Sequence, residues 1–214
     1  MIGLLPASGR AIRIGGIPKF LLPTASGELL IEYHIRLMRN VCDEIRISTS
    51  KRWLDLLHEL LTDVEVFEIE PSTMNDAIWQ MQDEDNLIGM PDTFFTGFEN
   101  PYEALADSDL PVGIALWKCT EDLRGKVGQV DYRDGRIHDI RDKDPNCDYE
   151  YMWGALRLNA QAMTFVNPDD PHPGYNLNEI ISRFPYHDAP ISGRYIDAGT
   201  AEGLRDMLNS GKVA

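Results

Sequence analysis

Between residues 2 and 91 the apolar side chains switch repeatedly between a period of two and a period of about 3.6 residues, and few folds accept that pattern. Residues 2–6 are a short apolar run followed by a loop of small residues. Residues 28–40 carry a helical stripe of Leu30, Tyr33 and Leu37, with Ile31, Ile35 and Met38 beside it. Residues 44–49 alternate as a strand, 52–61 read as an amphipathic helix, and 64–70 alternate again. Ser72 is placed to cap a further helix over the following residues, and residues 87–91 read as a buried strand that stops at Pro91 and Asp92. Strand and helix in alternation predict an α/β fold: a mostly parallel central sheet with helices on both faces. Ligands on such sheets bind at the carboxyl ends of the strands. The loop after Pro6 and the Pro91–Asp92 turn both fall there.

Beyond about residue 110 the pattern changes. Residues 112–119, 127–140 and 151–159 read as strands, with a hairpin expected at Asp134–Gly135. Residues 176–184 and 201–210 read as helices. One domain over residues 1–214 is expected, its later half adding mixed strands that form a lobe on the substrate side.

Charge narrows the range of partners. Thirty-five acidic residues against twenty basic ones give a net charge of −15, which repels nucleic-acid phosphates and anionic membranes. No apolar run approaches the roughly 20 residues of a membrane span, and the first residues lack the basic start of a signal peptide. A cytoplasmic protein that binds neither nucleic acid nor membrane is expected. Cys42, Cys119 and Cys147 are odd in number and widely spaced, which suggests neither a disulfide framework nor a zinc site. If the ligands are phosphates, the scarce cations must be concentrated around them, and Arg10, Arg13 and Lys19 cluster near the start of the chain.

Residues 4–23, LLPASGRAIRIGGIPKFLLP, place a strand, a small-residue loop and then cations in order. Small residues let backbone N–H groups approach oxygens, and cations neutralise them. The dinucleotide fingerprint is excluded because Ala11 stands two residues after Gly9, and the Walker loop is excluded because no Gly-Lys-Ser/Thr closes it. An anion-binding loop and an ordinary strand-to-helix turn both remain open from the residues alone.

The stretch resembles the N-terminal signature of the sugar-phosphate nucleotidyltransferases, Ala-Ala-Gly-x-Gly-Thr-Arg followed by Pro-Lys-x-Leu-Leu-Pro. Here it stands as Ala7-Ser8-Gly9-Arg10-Ala11-Ile12-Arg13 and Pro18-Lys19-Phe20-Leu21-Leu22-Pro23, with Ala11 and Ile12 as departures and a short gap between the two parts. Residues 27–33 resemble the segment that opens the family's first helix. Residues 88–95, IGMPDTFF, resemble its Leu-Gly-Asp-x-x-Phe, with Asp92 at the magnesium-binding aspartate. Residues 194–208 resemble its late Trp-x-Asp-x-Gly-Thr-Pro-Glu, with Asp197 as the second carboxylate. Shorter matches are residues 72–77 at the base-contacting turn, Asp142-Lys143-Asp144 at Glu-Lys-Pro, and Trp153-Gly154 at the sugar pocket. The matches run in the family's order from residue 2 to about 208, so no β-helical extension of the kind longer relatives carry is expected.

The resemblance implies a Rossmann-like, GT-A-type fold, with residues 1–110 as the nucleotide half and 111–214 as the substrate half. It implies transfer of a nucleoside monophosphate from an NTP to a sugar 1-phosphate, forming an NDP-sugar. Arg13 and Lys19 would be catalytic. Pro6, Ala7, Ser8, Gly9, Thr73, Met74, Asn75 and Asp92 would bind nucleotide, and Asp142, Lys143 and Gly154 the acceptor. Asp92 and Asp197 would hold Mg²⁺. The partners would be an NTP and a phosphorylated small molecule, in a monomer or a homo-oligomer. The departures at Ala11, Ile12 and Asp144 keep open a non-sugar acceptor such as phosphocholine. A glycosyltransferase would carry Asp-x-Asp where Asp92-Thr93-Phe94 stands, and a non-catalytic relative would have no need of Arg13, Lys19, Asp92 and Asp197 together.

Overall fold

The computed structural model describes residues 1–9 and 16–210. Arg10, Ala11, Ile12 and the expected catalytic Arg13 lie outside the described residues. The first half follows the alternating pattern closely: β1 (Ile2–Pro6), α1 (Leu30–Met38), β2 (Glu44–Thr49), α2 (Lys51–Leu60), β3 (Glu65–Glu68), α3 (Met74–Met81) and β4 (Asp85–Ile88). Next come β5 (Thr93–Phe95), α4 (Pro101–Ala106), β6 (Val112–Lys118), β7 (Gly128–Arg133), β8 (Arg136–Asp142), β9 (Tyr151–Asn159) and α5 (Ala160–Met163). The chain closes with α6 (Leu177–Arg183), β10 (Tyr186–Pro190), β11 (Tyr195–Asp197) and α7 (Ala201–Asn209). Among the described residues no helix is long and apolar enough to cross a membrane.

Along the central sheet the strands run β10-β6-β9-β4-β1-β2-β3, and the β7–β8 hairpin hangs from β9. β1 pairs in parallel with β2 on one side and β4 on the other, and β2 with β3. Only β9 runs antiparallel on that path, between β4 and β6. The added strands of the second half therefore do not form a separate lobe. β6, β9 and β10 extend the first sheet, the β7–β8 hairpin hangs from β9, and β11 pairs with β5 in a sheet of two strands. The hairpin turn is the expected one, with Asp134 and Gly135 both at positive φ, as a two-residue hairpin loop requires.

Alternation within the strands gives the sheet two apolar faces. On β1, Leu5 joins the layer of Ile31, Ile35 and Met38 from α1 and Tyr102 and Leu105 from α4. Leu4 joins the opposite layer of Ile78 and Met81 from α3, Met163 from α5 and Ile180 from α6. All four strand residues Leu4, Leu5, Leu87 and Ile88 have no exposure; truncating any one to alanine would cost about 2–5 kcal/mol. The cap of α3 differs from expectation. Thr73, not Ser72, accepts the Asp76 N–H, while Ser72 turns its own N–H to the Asp76 carboxylate.

Candidate active site

β1 leads to β2 and β3 on one side, and the chain returns to place β4 on the other. The carboxyl ends of β1 and β4 thus flank a point where strand order reverses, which is where such sheets open a crevice. A cleft of about 840 Å³ lies there. Its walls come from the loop after β1 (Pro6, Ala7, Ser8, Gly9), the entry to α3 (Thr73, Met74) and the loop after β4 (Met90, Pro91, Asp92). Ser8 anchors the first wall by donating to the Ile69 carbonyl at 3.0 Å, and the Ala7 N–H donates to the Ser48 carbonyl.

Two nucleotide-side residues have structural partners of their own. Thr73 lines the cleft, yet its hydroxyl donates to the Pro168 carbonyl and caps α3. Asn75 does not reach the cleft: it is fully buried, and its amide donates to the Asn167 carbonyl and to Asn176 Oδ1. It ties α3 to the second half of the chain.

Lys19 sits where three segments meet. Its ammonium donates to Asp92 Oδ2 at 2.6 Å and lies 4.0 Å from Asp197 Oδ1. Although 105 residues separate the two carboxylates in sequence, β11 pairs antiparallel with β5 in the register Asp197 to Thr93. The Ala198 N–H also donates to the Asp92 carbonyl. Asp197 Oδ1 accepts the Gly199 N–H at 2.8 Å. A side-chain carbon on Gly199 would collide with the Lys19 ammonium, so the glycine makes room for the lysine.

Histidine 34 fixes this corner from beneath and carries no sequence signal. It is fully buried, with Nε2 2.8 Å from the Thr93 carbonyl and Nδ1 2.6 Å from the Tyr102 hydroxyl. A carbonyl only accepts, so Nε2 carries the proton and Nδ1 accepts from tyrosine. Burial holds the imidazole down to about 4; the ring stays neutral near pH 7 and pins the residue after Asp92.

A second cavity, about 270 Å³, opens beside the first and shares Lys19, Met74, Met90 and Asp92 with it. Lys126, Asp142, Lys143, Trp153, Gly154 and His172 line it. Gly154 is the extra residue of a β-bulge between β6 and β9, since Ala115 faces Ala155 while Leu116 faces Trp153. Bulges re-aim neighbouring side chains, and here Trp153 turns its indole N–H to Asp142 Oδ2 at 3.2 Å. Burial pushes the Asp142 carboxyl up to about 6. Lys126 and His172 were not picked out by sequence; the Pro171-His172-Pro173 run was the available signal for the latter.

Among solved structures the chain is similar to a Bacillus anthracis protein assigned as a glucose-1-phosphate thymidylyltransferase and solved with sucrose. The TM-score is 0.83 at 16% identity, over 100% of this chain and 96% of that one. The chain has the nucleotidyltransferase fold. A UDP-glucose pyrophosphorylase complexed with UDP-glucose gives 0.77 at 13% identity, covering 99% and 98% of the two chains. An inositol-1-phosphate CTP transferase from T. maritima gives 0.72 at 16%, covering 100% and 96%. No protein-family profile and no curated protein sequence matches.

Proposed function

We propose that this chain transfers a nucleoside monophosphate from an NTP to a sugar 1-phosphate, with release of pyrophosphate. One observation carries the reading: Lys19 and Asp92 stand on the wall shared by two adjoining cavities, and Asp197 joins them from the side of the smaller one. The larger cavity, built by the first half of the chain, suits the NTP. The smaller one, built largely by the second half with Lys126 and Lys143, suits a phosphorylated acceptor. Solved proteins of this fold are named for sugar 1-phosphate and inositol 1-phosphate substrates, and the cytoplasm, where NTPs are made, is the compartment that fits.

In the reaction an acceptor phosphate oxygen attacks the α-phosphorus of the NTP. The new P–O bond forms as the bond to the β-phosphate oxygen breaks, and the electron pair leaves with pyrophosphate. No covalent enzyme intermediate is required, so the protein acts by position and charge. Ser8 and Gly9 offer backbone N–H groups to the phosphates, and Thr73 and Met74 lie along the base side. Lys19 stabilises the charge that grows on the leaving oxygens. Arg13 falls to the same role through the signature it shares with the family. Lys143, with Asp142 and Gly154, orients the acceptor.

One lysine between two carboxylates leaves the corner net negative, which opposes a triphosphate. Two hard oxygen donors on separate segments that already converge on a cation fit Mg²⁺, which takes one or two carboxylates and fills its shell with phosphate oxygens and water. Among the described residues no cluster of three acidic, histidine or cysteine side chains offers a protein-only site. Asp92 and Asp197 would hold the ion, which would offset the charge of the triphosphate.

The test is pyrophosphate release from each of four NTPs against sugar 1-phosphates and phosphocholine. Release with at least one sugar 1-phosphate is expected; silence across the whole panel rejects the proposal. Gly199→Ala should then keep its melting temperature while kcat falls about 10²-fold, the scale of a 1 Å misplacement of a catalytic group. Unchanged turnover would separate the Lys19 position from catalysis.

A further inference from the structure

His172 and Asp142 form a buried polar pair on the wall of the smaller cavity. The Asp142 side chain is 3% exposed and that of His172 is 10% exposed. Their nearest atoms, Asp142 Oδ1 and His172 Nε2, are 3.3 Å apart but off the line of a hydrogen bond. Asp142 Oδ2 is satisfied by Trp153, whereas Oδ1 and both imidazole nitrogens have no partner among the described residues. Buried polar atoms are rarely left so, and each such atom costs free energy unless something fills its valence.

We propose that His172 is a specificity residue of the acceptor cavity, where it and Asp142 together bind one hydroxyl of a polyhydroxylated acceptor phosphate. The inference deepens the transfer reading and rests on it for the identity of the acceptor. A hydroxyl has both a donor and lone pairs. Placed beside the pair, it donates to Asp142 Oδ1 and accepts from the imidazole N–H, so Oδ1 and one ring nitrogen are satisfied together. A quaternary ammonium has neither a donor nor an acceptor and would leave them bare, which selects against phosphocholine.

The pair is also held ready. Pro171 and Pro173 restrict the backbone on both sides of His172. The Pro171 carbonyl accepts from the Met74 N–H, and the ring packs against Tyr175 and Trp153 at centroid distances of 4.9 and 6.3 Å. At Gly174 a side-chain carbon would overlap the Asp142 carboxylate, so the backbone there closes directly over it. Burial and Lys143 hold His172 down to about 4. The neutral ring carries one N–H, which suits a single hydroxyl acceptor. Lys126 and Lys143 line the same cavity and are available to the phosphate, so hydroxyl and phosphate are read by different groups.

The experiment uses glucose 1-phosphate, its 2-, 3- and 4-deoxy analogues and phosphocholine, with wild type, His172→Ala and His172→Gln. Wild type should lose about 10–100-fold in KM for one of the deoxy analogues, the cost of leaving buried partners unpaired. His172→Ala should lose a similar factor for the parent compound and no longer distinguish that analogue, with kcat nearly unchanged. His172→Gln, which restores an N–H, should recover part of the loss. A wild type that accepts all three deoxy analogues as well as the parent overturns the proposal, as does a His172→Ala enzyme that keeps the same ranking. The analogue series on wild type decides the matter even if the alanine variant fails to fold. Calorimetric titration with glucose 1-phosphate alone reads the contact without turnover. A chain that binds it through His172 yet releases no pyrophosphate keeps this inference and loses the transfer reaction.

Discussion

Lys19→Ala is expected to fold with a near-native melting temperature and to lose about 10²–10³ in kcat for pyrophosphate release, the usual effect of removing one preorganised charge from a transition state. The geometry explains why the loss should fall on kcat. Lys19 stands on the short 3₁₀ turn Lys19–Leu21, whose Phe20 is buried beside it, so its backbone is fixed by packing that the substitution leaves in place. Its side chain is only 15% exposed, and its ammonium lies against both Asp92 and Asp197. Without it, two carboxylates face the triphosphate uncompensated, and the growing negative charge on the leaving group meets repulsion. An Arg replacement retains charge but not the compact point-like head that fits against Gly199, and should rescue little. Steady-state kinetics decide the outcome. A variant with wild-type kcat would remove Lys19 from the chemistry and leave it as a structural counter-ion.

The legible and illegible parts of this chain divide on physical grounds. β1, β2 and β9 have the bounds expected from the apolar run over residues 2–6, the alternation over 44–49 and the strand reading of 151–159, and α1, α2 and α7 lie within a residue or two of theirs. Each carries enough turns or pleats for its period to register. β5 and β11 were missed because three residues cannot show a period; their pairing is a long-range event between Phe95 and Tyr195. That pair is also what brings Asp92 to Asp197, so no spacing rule exposes the convergence and only the motif resemblance anticipated it. α4 was missed although Asn100 and Pro101 formed a readable start. The placement of β9 inside the sheet is beyond reach for another reason. A strand read in isolation does not say which neighbour it joins, and β9 pairs with β4 and β6 across 68 and 33 or more residues. Asn75 shows the opposite failure: a short motif match landed on a core amide whose partners, Asn167 and Asn176, lie in the other half of the chain.

Activity is expected to require a divalent ion, with EDTA abolishing pyrophosphate release and Mg²⁺ restoring it. Two carboxylates held near one position repel each other and any phosphate unless a cation lies among them. Lys19 supplies one positive charge against two negative ones, and the chain as a whole carries −15. Folding has nevertheless brought Asp92, in the loop after β4, and Asp197, at the end of β11, to this corner, with their side chains 36% and 24% exposed. Neither is sealed in the core, so both oxygens remain available to a solvated ion. Asp92→Asn and Asp197→Asn keep the shape of each side chain and remove its charge. Each should lower kcat severely, and the double variant should lose little more than the worse single one, because groups that act as one unit are non-additive. Independent sites would give losses that multiply. Melting temperatures should stay near native in the two single variants, where Lys19 keeps one carboxylate partner. Losses that multiply, or full activity in EDTA, would sink the shared-ion arrangement. The charge of the triphosphate would then have to be met by lysine and arginine side chains alone.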